Sequence, residues 1–139
     1  MRTLLRSLSS LPVAALLLAP AALAAPPVEE APIAPAFGNT VLATYPDGRT
    51  QKIWLHADGT WDGLSRSSAP LAGRWELKGP KVCMRQMRPP TLPISFCTPF
   101  PDHAQAGVQW LSHDVAGRPI RLSLQKGMPL QAATPNQSR

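Results

Sequence analysis

The feature that most constrains the fold is a series of short β-prone segments separated by tight-turn residues. Asp47-Gly48, Asp58-Gly59 and Gly79-Pro80 each stand between runs of β-branched, aromatic and aliphatic residues. Asp-Gly is a strong hairpin signal because both residues tolerate the positive φ angles of a two-residue turn. The chain between residues 40 and 97 is therefore predicted to be a meander of antiparallel strands.

The pattern continues to residue 125. The last segment alternates, with Ile120, Leu122 and Leu124 on one face and polar residues on the other, which is typical of a half-buried strand. No amphipathic helix is predicted after residue 24. Strands at this spacing predict an all-β fold: a small antiparallel meander forming a barrel or sandwich of about seven to eight strands. The predicted strands are 40–45, 50–56, 60–64, 71–78, 81–87, 94–98, 108–113 and 119–125.

Residues 1–24 have the layout of a secretory signal peptide. Arg2 and Arg6 precede an apolar stretch, and Ala22-Leu23-Ala24 is a small-residue cleavage site. The stretch is short and interrupted by proline, so no membrane span is expected after cleavage. The alternative is an N-terminal anchor helix that is never cut. A periplasmic or secreted location follows from the first interpretation.

Proline-rich and polar segments flank the predicted β domain, which covers residues 38–126. Residues 25–37 contain four prolines and two glutamates, and they are predicted to be an extended, solvated linker. Residues 127–139 lack any alternating pattern and are predicted to be a disordered tail.

The only two cysteines, Cys83 and Cys97, are predicted to form a disulfide, since exported chains meet an oxidising compartment. The alternative is two free thiols. Pairing these residues across a hairpin centres its tip on the proline-rich segment 88–93. Neighbouring pairs then share a face. The predicted inner face carries Val82, Met84, Ile94 and Phe96, and the outer face carries the disulfide, Lys81, Arg85 and Ser95.

Four tryptophans are many for such a small core. They either fill it or form an aromatic platform for a glycan or apolar ligand. Strand alternation places Trp75 inside, on the face opposite Arg74, Glu76 and Lys78. Trp54 shares a face with His56 and is the better candidate for an exposed aromatic.

A basic surface is also predicted. Two of the fourteen basic residues leave with the signal, so the mature chain keeps twelve against eight acidic residues, a net charge of +4. Such a charge favours anionic surfaces without specifying nucleic acid. The cations concentrate between residues 74 and 88. The candidate binding surface, for an anionic envelope component such as lipopolysaccharide or for an envelope protein, comprises Trp54, Arg74, Lys78, Lys81, Arg85 and Arg88.

No catalytic constellation stands out, so an enzyme is not expected. The three histidines do not have metal-ligand spacing, and neither a nucleophile elbow nor a phosphate-binding glycine loop occurs. Neither a cofactor nor a metal is therefore predicted. Asp62 and Glu76 are the only carboxylates that suggest a glycosidase pair, and solvated strand residues are the alternative.

Several motifs resemble those of small exported proteobacterial proteins of unknown function, in which a DGT hairpin precedes a G-x-W strand and a cysteine. They are 38-GNTV-41, 46-PDG-48, 57-ADGTW-61, 73-GRW-75 and 82-VC-83. The segment 72-AGRW-75 followed by Cys83 also resembles the bacterial metalloprotease inhibitors, which are exported eight-stranded barrels. The first resemblance implies a small exported β protein, and the second implies a barrel that inhibits proteases.

The sequence thus predicts an exported, non-enzymatic β module that binds a cell-envelope component or a partner protein. The alternative is a periplasmic protease inhibitor, in which the loop between Cys83 and Cys97 would be the rigid inhibitory element.

Overall fold

The computed structural model describes residues 32–129. The predicted signal peptide, most of the predicted linker and most of the predicted tail lie outside these residues. The described part contains one 3₁₀ helix, Ala34–Ala36, and eight strands. The strands are β1 (Thr40–Thr44), β2 (Thr50–Leu55), β3 (Thr60–Leu64), β4 (Pro70–Lys78), β5 (Lys81–Arg88), β6 (Ser95–Pro99), β7 (Gln109–His113) and β8 (Pro119–Gln125).

The strands form one antiparallel sheet that curls into a nearly closed barrel, so the predicted all-β fold is confirmed. Its strand order is β6-β5-β4-β3-β2-β1-β8-β7, which joins β1 to β8 and leaves β6 and β7 as the two edges. These edges meet through a hydrogen bond of 2.7 Å between the buried hydroxyls of Thr98 and Ser112. The barrel is therefore closed there by side chains.

Tight turns place the strand boundaries close to where the sequence predicts them. At Asp47-Gly48, the glycine has φ +80° and the aspartate carboxylate accepts the backbone N–H of Arg49. Gly59 has φ +83°, and Asp58 accepts the N–H of Thr60. Glycine adopts such angles without steric cost.

The disulfide register is confirmed. Cys83 lies directly opposite Cys97 with a Cα–Cα distance of 4.0 Å, and Met84 lies opposite Phe96. Val82 lies opposite Thr98. Of the predicted inner-face side chains, Val82, Met84 and Phe96 line the barrel interior, whereas Ile94 precedes β6 at the cavity mouth and is 62% exposed.

One end of the barrel, called here the closed end, is filled with apolar side chains. The 3₁₀ helix and the loop after β6 lie there, because β1 begins and β6 ends at that end. Ile33 and Ala36 are fully buried, and the Phe37 ring packs 5.7 Å from the ring of Trp75. The prediction of a solvated linker up to residue 37 is therefore wrong for residues 33–37. A proline-rich composition predicted solvation, but Ile33 and Phe37 supply apolar surface that the barrel buries.

The chain after β8 is also held to the barrel, at Gly127, two residues beyond the end of the strand. The Gly127 N–H donates to the Asn39 side-chain oxygen, and the Gly127 carbonyl accepts from the Thr40 hydroxyl, both at 2.8 Å. The predicted tail beginning at residue 127 is therefore wrong for Gly127, which is tied to the start of β1.

Candidate functional site

The barrel encloses a cavity of about 660 Å³. Its mouth lies at the end opposite the 3₁₀ helix, called here the open end, where the chain turns at 45–49, 65–69, 89–94 and 114–118. Small-molecule sites in proteins commonly measure about 300–1,000 Å³. An eight-stranded barrel is wide enough either to be filled by side chains or to hold one small ligand. In this barrel apolar side chains fill the closed end, and buried residues such as Val41 and Leu122 line the space beyond it.

Every second residue of each strand faces inward and forms the cavity wall. Most of these inward-facing residues are apolar. Small side chains such as Ala43, opposite Gln51 on β2 and Leu122 on β8, leave the space in the middle of the barrel unfilled. The apolar wall residues include Val41, Ala43, Ile53, Leu55, Leu71, Val82, Met84, Phe96, Ile120 and Leu122.

Trp61 forms part of the wall and depends on a glycine on the neighbouring strand. Gly73 lies directly opposite Trp61, and a Cβ atom built at Gly73 would lie 2.6 Å from the indole Nε1. The indole crosses this position and donates a hydrogen bond of 3.3 Å to the carbonyl of Arg85 on β5. The Gly73-Arg74-Trp75 motif thus has a packing role at its first residue.

Polar groups concentrate at the mouth. The Tyr45 hydroxyl donates to the Gln51 side-chain oxygen at 3.1 Å, and the Arg66 guanidinium lies 4.4 Å from the centre of the Tyr45 ring. Burial raises the pKa of Tyr45, and the positive charge of Arg66 opposes that shift only in part. Tyr45 is therefore a neutral hydrogen-bonding group at physiological pH.

Arg66 and Arg118, the two arginines that line the cavity mouth, have different partners. Asp114 accepts the backbone N–H of Arg118 and its guanidinium Nε, at 2.9 and 2.7 Å. Burial raises the pKa of Asp114, but these hydrogen bonds and that of Ala116 outweigh it and leave the pKa lowered. Arg66 has only a longer contact, 3.7 Å, to Asp47, whose same oxygen lies 2.8 Å from Arg49. Arg66 is thus the better placed of the two to meet an anionic group at the mouth.

Trp110 adds a hydrogen-bond donor to the wall. Trp54, Trp61 and Trp75 donate their indole N–H groups to protein oxygens. The buried Nε1 of Trp110 has no acceptor among the residues described in the structure. Its ring packs edge-on against Phe100, with centroids 5.4 Å apart. A buried unpaired donor is costly, so a ligand oxygen at this position would gain a favourable partner.

The structure brings most of the predicted basic surface together on the outer side of β4 and β5. Arg74 lies opposite Arg85, and Lys78 lies opposite Lys81. Glu76 forms an ion pair of 2.9 Å with Lys78. All four cations are exposed. Arg88 is also exposed but lies at the open end of β5, away from the lysines.

Trp54 does not belong to this surface, and the expectation that it is exposed is wrong. It lies on the face that carries Asp62, its cross-strand neighbour on β3, but only 6% of it is accessible. Its indole donates to the Thr40 hydroxyl at 2.9 Å. The same hydroxyl donates to Gly127, so a contact from far along the chain explains what strand alternation could not predict.

The two carboxylates of the suggested glycosidase pair have separate partners. Asp62 lies 2.7 Å from the imidazole of the largely buried His56, and Glu76 pairs with Lys78. Among residues 32–129, no group of three or more His, Cys, Asp or Glu side chains is arranged to hold a metal ion. None of the helices within the described residues is long and apolar enough to cross a membrane.

Fold and cavity together define a disulfide-linked antiparallel barrel with an interior open at one end. No protein-family model matches the chain, and searches of curated proteins and of solved structures find no match either.

Sequence reasoning missed the cavity and its polar mouth. Tyr45, Arg66 and Trp110 were not singled out as site residues, because each lies within or beside an ordinary strand or turn in the sequence. The sequence offered only weak signals for these residues. Arg66 is the single cation in the short polar turn 65–69, and Trp110 lies two residues from Ser112, on the same face of one strand.

Proposed function

We propose that the protein is an exported, non-enzymatic binding barrel that holds the apolar part of an amphipathic cell-envelope component. The observation that carries this proposal is the open, mainly apolar cavity of about 660 Å³. Most buried apolar surface in a small domain is covered by other side chains. An interior left open suits a molecule that supplies the missing apolar contacts.

The mouth supports an amphipathic rather than a purely apolar ligand. Arg66 and the Tyr45 hydroxyl lie where the head group of a ligand inserted chain-first would sit. An arginine suits carboxylate or phosphate because its planar guanidinium presents several donors. The ligand class is therefore an apolar chain with an anionic head group, which fits the anionic envelope component predicted from the basic composition.

The disulfide supports an exported location. Such bonds persist in oxidising compartments and are rare in the cytosol. Together with the predicted signal peptide, the Cys83–Cys97 bond favours the periplasm or the exterior as the place of action.

A titration of the mature protein with fluorescent fatty acids of increasing chain length tests the proposal. Each added methylene that enters the cavity should tighten binding about fourfold, at about 0.8 kcal/mol per methylene, until the cavity is full. Ala43→Phe, which fills the cavity, should abolish binding, and Met84→Trp should weaken it. Leu42→Phe on the outer face of the same strand is the matched control. Absence of binding, or equal loss in the control, would contradict the proposal.

A protease inhibitor is a second candidate because of the β5–β6 tip. Leu92 and Ile94 are 74% and 62% exposed on a loop whose two strands are joined by the disulfide. A rigid exposed loop of this kind suits a protease cleft. Titration of secreted metalloproteases and serine proteases decides between the two functions. Failure to inhibit at micromolar concentration excludes this candidate and leaves the cavity proposal intact.

A further inference from the structure

The open end combines exposed apolar side chains with the cavity mouth. Leu92 and Ile94 on the β5–β6 connection and Val115 on the β7–β8 turn are 74%, 62% and 78% exposed. They account for half of the six large exposed hydrophobic residues in the described part of the chain. Isolated exposed apolar residues are common, but three around one opening are grounds for expecting an interaction surface.

The same end is positively charged. Three of its four chain connections contain an arginine, namely Arg49, Arg66 and Arg118, and Arg88 ends β5 at the start of the fourth. Asp47 and Asp114 are the only acidic residues in these connections, so the four arginines leave a net charge of +2. The lysines of the basic surface on β4 and β5 differ, because Lys78 and Lys81 lie at the closed end, whereas Arg85 lies opposite Ser95, next to Ile94.

We propose that the open end docks on an anionic lipid surface. Exposed apolar side chains and arginines at the same end match the chemistry of such a surface, where acyl chains lie beneath anionic head groups. Neither signal alone gives stable attachment, and their combination does. Anionic lipid attracts cations near its surface, worth about fivefold in affinity for each arginine.

This docking mode extends the proposed function. With the mouth against the bilayer, an amphipathic molecule passes between membrane and cavity without exposing its chain to water. Leu92, Ile94 and Val115 are exposed at the cavity mouth, whereas Ala43 is buried in the cavity wall, so docking and ligand binding are separable by mutation. Leu92, Val115, Arg49 and Arg88 report on docking, and Ala43 reports on cavity binding.

Co-sedimentation of the mature protein with vesicles tests the inference. Phosphatidylglycerol–phosphatidylcholine vesicles should bind it, with affinity falling as salt rises, and pure phosphatidylcholine vesicles should bind it at least tenfold more weakly. Leu92→Ser with Val115→Ser should weaken binding at least tenfold. Leu111→Ser is the matched control, because Leu111 is also 78% exposed but lies on the side of the barrel.

Charge variants supply an independent measurement. Arg49→Gln with Arg88→Gln should weaken binding to anionic vesicles more than tenfold, whereas Lys78→Gln with Lys81→Gln, a matched pair at the closed end, should weaken it less than threefold. Ala43→Phe should keep wild-type vesicle binding even though it blocks the cavity. Failure of the wild-type protein to bind anionic vesicles, or equal losses in target and control variants, would overturn the docking proposal. The fatty-acid titration without vesicles would still stand.

Discussion

The two ends of the barrel are built from the same alternating strands, but one is packed with side chains and the other is open. At the closed end, Phe37 and Trp75 pack together, and the Trp75 indole donates to the His56 carbonyl at 2.8 Å. At the open end, Tyr45, Arg66 and Leu92 surround an apolar space that no side chain fills. The closed end is therefore expected to supply stability, and the open end to supply binding.

The comparison also explains why the arrangement needs an N-terminal segment. A barrel open at both ends would expose its apolar interior to water at each mouth, which is unfavourable. Ile33 and Ala36 cover one mouth and are fully buried. The interior is therefore accessible from the open end only.

The largest expected effect is at the closed end. Trp75→Ala should lower the free energy of unfolding by about 3–5 kcal/mol, because the ring is 8% exposed and its removal leaves a cavity. The His56 carbonyl would lose the indole hydrogen bond and keep only that from the Gly59 N–H. Urea denaturation followed by fluorescence or circular dichroism measures this change. Leu92→Ala at the open end should stay within about 0.5 kcal/mol of wild type. Equal effects at both positions would break the proposed division between the ends.

The disulfide should have the next largest effect, because it joins the two strands that carry the exposed tip of the open end. Cys83→Ser should cost about 2–4 kcal/mol of stability, as expected for a bond closing a short loop. Differential scanning calorimetry of the variant, the double variant Cys83→Ser/Cys97→Ser and the wild type measures it. A variant that melts at the wild-type temperature would mean that the hairpin does not need the bond.

Lowering the pH should remove stabilising interactions from turns at both ends of the barrel. Hydrogen bonds from Thr60 lower the pKa of Asp58 at the closed end, and those from Arg118 and Ala116 outweigh burial and lower that of Asp114 at the open end. A lowered pKa in the folded state stabilises the protein above the unfolded-state value, about 3.9, and this contribution is lost as the pH falls through the folded-state pKa.

Asp114→Asn should therefore lower stability at pH 7 and converge with wild type in acid. The loss at pH 7 should be at most about 1 kcal/mol, because the partner Arg118 is 54% exposed. Urea midpoints between pH 7 and pH 2.5 measure the difference. A gap between variant and wild type that persists unchanged at pH 2.5 would show that the carboxylate charge is not its cause.

Local patterns were sufficient to predict the strands. Turn chemistry at Asp47-Gly48 and Asp58-Gly59 fixes where strands end, and the two cysteines fix the β5–β6 register, so Met84 and Phe96 were correctly paired. The sequence did not distinguish a barrel from a sandwich. The difference depends on the pairing of β1 with β8, which join residues more than 75 positions apart.

The cavity could not be predicted because alternation gives the direction of a side chain but not the space around it. Ala43 and Leu122 were both assignable to an inner face, yet only the closed sheet shows that they lie side by side on β1 and β8 and line a cavity. The prediction that Trp54 is exposed was wrong for a related reason, because its burial involves Thr40 and the segment at Gly127. Ile33 was missed because its proline-rich neighbours are typical of linkers.

The smallest expected effect concerns the outer face of β4 and β5, where the cavity plays no part. Arg74 and Arg85 are exposed and directly opposite, and like charges at such positions repel. Arg74→Gln should therefore raise the free energy of unfolding by about 0.2–0.5 kcal/mol at low ionic strength, and salt should remove the gain by screening. Urea denaturation at low and high ionic strength, about 10 mM and about 500 mM salt, measures it. Lys52→Gln is the control, since Lys52 lies opposite Leu42 and Leu64 and has no cation to repel. A gain in the free energy of unfolding for Arg74→Gln that persists at high salt would point to strand propensity instead of charge. The basic surface would then carry no repulsion for an anionic partner to relieve.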